Sequence, residues 1–580
     1  MSVPVLITLT NTGPSITGPF SIYCMQGSTQ TQPPLITGVT KDELLAGYYI
    51  VAPTGCTGLR VFSDGVECTN YIDFIITTTT STTSTTTTST STTSTSTTTT
   101  STTTTTTTCA PQEFVIQLNN ITSVSNIEIT STEAFSIFWD SSNPASKVDY
   151  AAGTYTNISK TFSPAFTGTA KIQSCNLGSI EKFVIPNSVA PSATNTIVIQ
   201  QSQLVKLTGI TEFRVYNNVF VSGITTSNLN PTLIKAVIWV SDISGSIINL
   251  PPLLEQFDVR TTTAAAPGLT GNISTMYATR PNLTYFWVTA LNALTGDISS
   301  IPSNAAAFAV TENNTIAGNF SSLSDNADLD YFICNGSNTI TGSINDVNWT
   351  SIVWFEVGGS GIKTGNINTI SFNPTMFAFS FPNKVIGINS GITGSLSNLP
   401  DSLIFMNFTD ATLTGATTDI PTSATTFTLG NNGTVTGAVT GLPVGLQQLV
   451  LTGNSHTISG TINSLPANLR FVKIEGDGHN VSGYTGPRNW GTLNFAISGQ
   501  RTMCKFSIFG AAMTSLSSTQ ADNLIIDLAA TSDWRNSTSF ITPGDTKAVN
   551  YKGAAVASPA GIAAQAALEG PPRLVPVTNY

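Results

Sequence analysis

The stretch that decides the fold is residues 446–462, which read LQQLVLTGNSHTISGTI. It begins with an apolar residue, two variable residues, a second apolar residue, one variable residue and a third apolar residue. The same six-residue pattern occurs twelve times between Ile210 and Ile474, and its last apolar position recurs with a mean spacing of 23.5 residues. A period this constant indicates that one structural unit is repeated along the middle of the chain.

A period of 20–29 residues with this pattern resembles that of leucine-rich repeats. Most of the other units lack the Asn found at Asn454 and vary in length, so the predicted coil is irregular. The resemblance implies that each unit contributes one short parallel strand, and neighbouring units must stack because no unit can bury its apolar face alone. We therefore predict a leucine-rich-repeat solenoid with a parallel sheet over residues 201–500, roughly 55 Å long at ~4.8 Å per strand.

The variable positions of these strands are predicted to face away from the core. In leucine-rich repeats they line the concave face of the sheet, where ligands often bind. Large exposed apolar patches usually mark a partner, so we predict a binding patch for a glycan or a protein surface. A subunit interface, coverage by a neighbouring loop and the absence of any role are the alternatives. The predicted patch consists of Tyr285, Trp287, Tyr331, Trp354, Phe405 and Phe471.

The N-terminal part of the chain divides into two segments by composition. Residues 1–76 have strand patterns at 3–10, 48–51 and 73–76 separated by turn signals, which predicts a small β domain. Residues 77–108 contain only Ser and Thr, so this segment has nothing to bury and is predicted to be a tether. An ordered stalk, in which strands from several chains pair, is the alternative.

Residues 109–200 resemble an immunoglobulin-like domain of the PKD kind. The resemblance rests on Trp139-Asp140 and on a later Gly153-Thr-Tyr155 strand, although Ser-Ser replaces the usual Gly after the Asp. It implies a β-sandwich. The predicted fold class of the whole chain is therefore mainly β.

Residues 501–580 have the pattern of a small helical cap. Ser517 and Gln520 form a capping-box pattern at the start of a predicted helix over 517–530. A second predicted helix has Pro559 at its first position and stops at Gly570. Both helices suit a terminal unit that covers the open end of a repeat stack.

The seven cysteines are scattered and form no C-x-x-C motif. The N-terminus has no basic region followed by an apolar run, so we expect no secretory signal. Synthesis in a reducing cytoplasm then predicts plain thiols, and whether Cys24, Cys56 and Cys68 pair is left open.

The charge balance and the scarcity of histidine argue against several classes of function. The net charge of −10 disfavours nucleic acid as a partner, and no apolar run is long enough to predict a membrane span. His456 and His479 lie in equivalent turns 23 residues apart and are predicted to be solvated rather than a metal pair.

Catalytic motifs are not found either. The sequence contains no nucleophile elbow, no P-loop and no His-Glu-x-x-His. We therefore expect no enzymatic activity, no cofactor and no metal. A pair of carboxylates of the glycosidase type is an alternative that sequence leaves open, since any two carboxylates can meet in space.

The order of tether, PKD-like segment, repeats and helical cap resembles structural appendage proteins of tailed bacteriophages. This resemblance implies a virion protein that is made in the host cytoplasm and released by lysis. Residues 1–76 would dock to other virion proteins, the solenoid would bind the host surface, and the protein would be a homo-oligomer, a trimer by analogy. A bacterial cell-surface adhesin and a glycan-degrading enzyme are the alternatives.

Overall fold

The structure is a computed structural model of the 580-residue chain. In the N-terminal segment it describes residues 3–7, 20–26, 29–30, 35–39, 48–52, 58–63 and 71–75. Beyond these it describes residues 109–580 except 187–195, 261–267, 290–291, 312–313, 382–390, 431, 489, 491–501, 504, 531–532, 535–547 and 571–574. The chain forms two units, residues 1–105 and 106–580.

The first unit is built of antiparallel strands. Val3–Ile7 pairs with Tyr48–Ala52, which overlap two of the predicted strands. A second sheet contains Phe20–Gln26, Thr29–Gln30, Ile36–Val39, Gly58–Ser63 and Tyr71–Ile75. Its central strand, Phe20–Gln26, was not predicted, and it carries the buried Ile22. Residues 77–108 lie outside the described residues, so the tether and the stalk stay predictions.

The second unit begins with two long strands that pair with each other and are irregular at several points. Asn120 and Asn126 have positive φ, and the register shifts at several points along the pair, as bulges require. Phe114 of the first long strand packs edge-on against Phe183 of a later strand, at 5.3 Å between ring centroids. The strands of this segment are Gln112–Ser131, Phe135–Phe138, Lys147–Tyr150, Gly153–Ser174, Ile180–Ile185 and Thr196–Gln200.

This segment is continuous with the repeats. Ile180–Ile185 pairs antiparallel with the long strand Gln112–Ser131 and parallel with Glu212–Ser222, the first strand of the repeat region. The segment therefore covers the first coil, and the sheet runs without a break through the predicted boundary at residue 200.

The repeat region has a main parallel sheet to which each unit contributes one strand, as predicted. The sheet continues past residue 500 into the cap. Its strands are Glu212–Ser222, Lys235–Ser241, Gln256–Val259, Tyr285–Val288, Ala307–Val310, Tyr331–Cys334, Trp354–Val357, Ala378–Phe381, Phe405–Phe408, Thr426–Leu429, Gln448–Thr452, Phe471–Glu475, Lys505–Phe509, Ala548–Tyr551 and Val577–Asn579.

A second parallel sheet runs beside it, and short helical turns complete the coils. Among the described residues this sheet has eleven strands: Gly245–Ser246, Leu269–Asn272, Asn292–Asp297, Thr315–Asn319, Thr339–Ser343, Lys363–Asn366, Gly391–Ser395, Thr412–Ala416, Thr434–Ala438, Thr457–Gly460 and Asn480–Val481. The 3-10 turns of the coils are Thr226–Asn228, Ile247–Asn249, Ile298–Ser300, Phe320–Leu323, Ile344–Asp346, Ile367–Thr369, Leu396–Asn398, Thr417–Asp419, Val439–Gly441 and Ile462–Ser464.

The interior between the two sheets is filled by aligned apolar side chains. A column of phenylalanines occupies the second apolar position of successive units, with neighbouring ring centroids 5.4–6.1 Å apart. Its members are Phe257, Phe286, Phe308, Phe332, Phe355 and Phe379. The repeat pattern predicted these positions as core, and the structure confirms them.

The two histidines are buried, so the prediction of solvated turn residues is wrong. His456 and His479 are both 0% exposed, and their rings stack with centroids 5.7 Å apart. Each directly precedes a strand of the second sheet, a position that Asn338 holds in an earlier coil. There the side chain bonds to buried backbone. Asn338 Nδ2 donates to the Cys334 carbonyl within its own turn, and His456 Nδ1 accepts from the Val435 N–H of the preceding coil at 3.0 Å.

Burial also governs the titration of this pair. Desolvation lowers the pKa of His456. The pKa of His479 is lowered to about 4 by its own desolvation and by the neighbouring His456 ring. Within the described residues, no group of three or more potential ligands could hold a metal ion.

The helical cap lies where the sequence predicts it. Ser518–Ala529 begins with the expected capping box between Ser517 and Gln520, and Pro559–Glu569 is followed by Gly570. The carboxylate of Asp522 in the first helix accepts hydrogen bonds from the backbone just before the second, at Ala557 and Ser558. Two shorter α-helices are Gln201–Leu204 and Ile273–Thr279. None of the helices described is long and apolar enough to span a membrane.

The expectation of plain thiols is wrong for part of the chain. Cys109 and Cys175 form a disulfide, with 5.5 Å between their Cα atoms. They lie just beyond Gln112 and Ser174, which pair at the ends of the two long strands, so the fold itself brings the thiols together. Cys24 is also disulfide-bonded, while Cys56 and Cys68 lie outside the described residues.

Candidate ligand-binding face

The predicted patch residues lie on the face of the main sheet that points away from the core, here called the outer face. Because side chains alternate along a strand, Phe286 enters the core while Tyr285 and Trp287 project to the other side. Together with neighbouring strands they form a second apolar group separate from the main core. We call it the outer-face cluster; it consists of Tyr285, Trp287, Ala307, Ala309, Tyr331, Ile333 and Trp354.

The rings of this cluster lean toward one another. The Trp287 ring centroid is 5.5 Å from that of Tyr331 and 6.2 Å from that of Trp354. Trp287 and Trp354 are three strands apart, which is about 14 Å along a sheet. Small Ala309 on an intervening strand gives them the room to meet, and it is fully buried beneath them. The aromatic side chains therefore bury much of one another.

What remains accessible is a row of half-buried rings. Tyr285, Tyr331 and Trp354 are partly exposed, whereas Trp287 is only 6% exposed. The structure thus brings together four of the six predicted residues on a rigid sheet. Their remaining exposed surface is aromatic and is held in place by ring contacts on the sheet side.

The other two predicted residues lie apart from the cluster. Phe405 is half-buried two strands beyond Trp354, and Phe471 is buried three strands further on. Near them the outer face carries buried polar side chains such as Asn407 on the Phe405 strand and Thr428 on the next strand. The outer-face cluster is therefore confined to the coils from Tyr285 to Trp354, and Phe405 is a separate half-buried ring on the same face.

A carboxylate and an arginine that sequence reasoning missed extend the cluster toward the N-terminus. The Arg260 guanidinium lies over the rings of Trp239 and Trp287, at 4.4 and 4.5 Å from their centroids. It donates two hydrogen bonds of 3.0 Å to Asp258, and the Trp239 indole N–H donates to the same carboxylate at 3.4 Å. Burial raises the pKa of Asp258 despite this partner, and burial together with Asp258 raises the pKa of Tyr285 to about 12.

A second carboxylate lies within the cluster. Glu356 is only 3% exposed and accepts hydrogen bonds from the Trp354 indole N–H at 3.0 Å and from Asn335 Nδ2. Burial raises its pKa, and these two neutral donors offset only part of that effect. Among the described residues no cation forms an ion pair with it.

The alternation of the strands assigns Glu356 to the outer face from sequence, and the same pattern could have revealed Asp258. Asp258 and Glu356 each occupy the third position of a four-residue strand, which the pattern assigns to the outer face. The two strands are four steps apart, about 19 Å along the sheet. Glycosidase carboxylates are about 5–9.5 Å apart, so this pair does not fit glycoside hydrolysis.

Comparisons with known proteins give only distant likenesses. No protein-family model matches the chain, and no curated protein matches it. Among solved structures, the plant peptide hormone receptor RGFR1 in complex with RGF2 is 16% identical, with a TM-score of 0.36 over 66% of this chain. The match spans 57% of the receptor chain. A plant ice-binding protein is 15% identical, with a TM-score of 0.21 over 55% of this chain and 82% of its own.

Proposed function

We propose that the protein is a non-enzymatic binding module whose ligand contacts the outer-face cluster. The observation that carries this proposal is the row of half-buried rings of Tyr285, Tyr331 and Trp354 beside a buried carboxylate. Aromatic side chains held on rigid strands lose little conformational freedom on binding, which favours affinity. Neither a cofactor nor a metal is part of the proposal.

The setting that we propose is an appendage of a phage virion. Residues 1–76 would dock to other virion proteins, the Ser/Thr segment would carry the solenoid outward, and the appendage would be a homotrimer. A glycan or a protein of the host surface would be the ligand. The sequence resemblance to phage appendage proteins supports this setting.

A bacterial cell-surface adhesin is the second candidate. The Cys109–Cys175 disulfide favours display outside a reducing cytoplasm, which suits an adhesin as well as a virion. In both settings the outer-face cluster would have the same task.

Two measurements test the proposal. Fluorescently labelled full-length protein should bind host cells, and a Tyr331→Ala/Trp354→Ala double variant should lose most of that binding. Tyr155→Ala serves as the control and should bind normally. It also removes a half-buried aromatic side chain, but in the segment 109–200 that precedes the repeats. Equal binding by all three proteins would rule out the cluster as the binding face.

The setting is tested by immunogold electron microscopy of phage lysate with an antibody against residues 201–500. Label on particles supports the virion appendage. Label on cells together with bare particles contradicts the appendage and favours the adhesin.

A further inference from the structure

We propose that the ligand contributes an arginine side chain, whose guanidinium stacks on Trp354 and pairs with Glu356. The partner is then a protein with an exposed arginine. This inference rests on the proposed binding function and names the chemistry that the outer-face cluster recognises.

The molecule contains its own template for this contact. Asp258 and Glu356 occupy the same position of their strands, are both 3% exposed, and both accept a hydrogen bond from an indole N–H. In the first site, Arg260 completes the arrangement by pairing with the carboxylate and stacking on two indole rings.

The second site lacks this cation for a reason visible in the sequence. Arg260 follows Asp258 by two residues, and the residue two positions after Glu356 is Gly358. The backbone of Gly358 instead donates to Asn335 Oδ1 at 3.0 Å. The second site thus has a carboxylate and an indole donor like the first, although Trp354 precedes Glu356 on the same strand whereas Trp239 lies on the strand before Asp258. Among the described residues no side chain neutralises the Glu356 charge.

The second site, at Glu356, can accept a guanidinium. Each oxygen of a carboxylate can accept two hydrogen bonds, and each oxygen of Glu356 accepts one, from Trp354 or from Asn335. Trp354, Tyr331 and Asn335 are half-buried, so they border solvent above the carboxylate. A buried carboxylate with no counter-ion is unfavourable, and pairing with a cation relieves that cost.

The chemistry of the template favours arginine over other ligands. A planar guanidinium can stack on an aromatic face and form paired hydrogen bonds with a carboxylate at once, which an ammonium cannot. A neutral sugar could stack on the rings but would leave the Glu356 charge without a partner. The net charge of −10 also favours encounter with a basic protein surface.

The test uses the full-length protein and blocked tripeptides, with binding followed by tryptophan fluorescence and calorimetry. Gly-Arg-Gly should bind saturably. Gly-citrulline-Gly, which keeps the shape of arginine without its charge, should bind at least about tenfold more weakly. Glu356→Gln should weaken Gly-Arg-Gly binding to a similar degree, whereas Glu181→Gln, which removes the same charge at an exposed position, should not.

A second variant tests the template directly and does not depend on removing a buried group. Gly358→Arg places an arginine two residues after Glu356, as Arg260 follows Asp258, so its guanidinium should pair with Glu356 and block the tripeptide. Circular dichroism and thermal unfolding of each variant identify any that fails to fold.

Several outcomes would overturn the inference. Equal binding of arginine and citrulline peptides would show stacking alone, and equal binding of Gly-Lys-Gly would show that charge alone is read. If labelled protein binds cells through Trp354 but no tripeptide binds, the arginine inference fails while the proposed function stands. If the protein binds neither cells nor tripeptides, the proposed function fails as well.

Discussion

Trp354 and Phe355 are adjacent in sequence but lie on opposite faces of the main sheet, where different constraints act on the side chains. Phe355 points into the core, is fully buried and contacts the rings of Phe332 and Trp349, at 5.4 and 4.8 Å between centroids. Trp354 points to the outer face, is half-buried, and donates its indole N–H to Glu356.

The difference shows what the repeat constrains. On the core side each coil must supply an apolar side chain of similar size, because the coils above and below pack against it. On the outer face a side chain need only avoid clashing with its neighbours, and it need not be apolar or of a fixed size. Residues at equivalent positions of different coils can therefore differ in chemical character on this face, as Arg260 and Gly358 do.

The largest expected effect comes from breaking the core side of this comparison. Phe355→Ala should lower the free energy of unfolding by about 3–5 kcal/mol, because it leaves a cavity among rings that cannot collapse to fill it. Chemical denaturation followed by circular dichroism measures the change. A loss below about 1 kcal/mol would mean that the phenylalanine column is not a closely packed core.

Polar groups in the interior give the next largest effect. Folding lowers the pKa of His479 from 6.5 to about 4, so the unfolded chain binds more protons between these values. The contribution of this group to stability is therefore full above pH 6.5 and is lost as the pH falls toward 4, by on the order of 3 kcal/mol.

The measurement is the free energy of unfolding at several pH values for wild type and His479→Asn. Asparagine holds the equivalent position at residue 338, so the variant keeps a polar side chain there. The carboxylates titrate in both proteins, so the difference between the two curves reports His479 together with its interaction with His456. Parallel curves would contradict the buried, neutral state of His479.

The third effect concerns a backbone position where two coils meet. Gly394 has a φ of +127°, and a Cβ there would lie 2.5 Å from Ile367 Cγ1 of the preceding coil. Gly394→Ala should therefore cost about 2 kcal/mol. Gly445→Ala is the matched control, since its Cβ would meet nothing closer than 3.8 Å, and it should leave the unfolding midpoint unchanged.

The sequence was sufficient to predict those features that repeat or that depend on local signals. The apolar spacing predicted the parallel sheet, and Ser517 with Gln520 predicted the start of the cap helix. The alternation of side chains also placed Tyr285, Trp287, Tyr331 and Trp354 on one face.

Features that depend on contacts between coils could not be predicted in this way. The turn position of His456 looked solvated because its burial follows from stacking on the next coil. The disulfide between Cys109 and Cys175 depends on the pairing of two long strands across a separation of 66 residues. Trp287 can lean toward Trp354 only because the next strand carries the small Ala309 on the same face. The sequence of one repeat unit alone does not show this contact.

The smallest effect on stability comes from the outer face and would sharpen the comparison most. Trp354→Ala should lower the free energy of unfolding by only about 1 kcal/mol, because a half-buried ring loses less apolar contact than a buried one. The same change should abolish ligand binding, since it removes both the stacking surface and a hydrogen bond to Glu356.

Phe405→Ala is the matched control, because that ring is also half-buried on the outer face but lies outside the cluster. It should cost a similar amount of stability and leave binding of the labelled protein to cells intact. If Trp354→Ala instead destabilised the protein as much as Phe355→Ala, the outer-face cluster would be a second structural core. Its aromatic side chains would then be explained by folding alone, without a ligand.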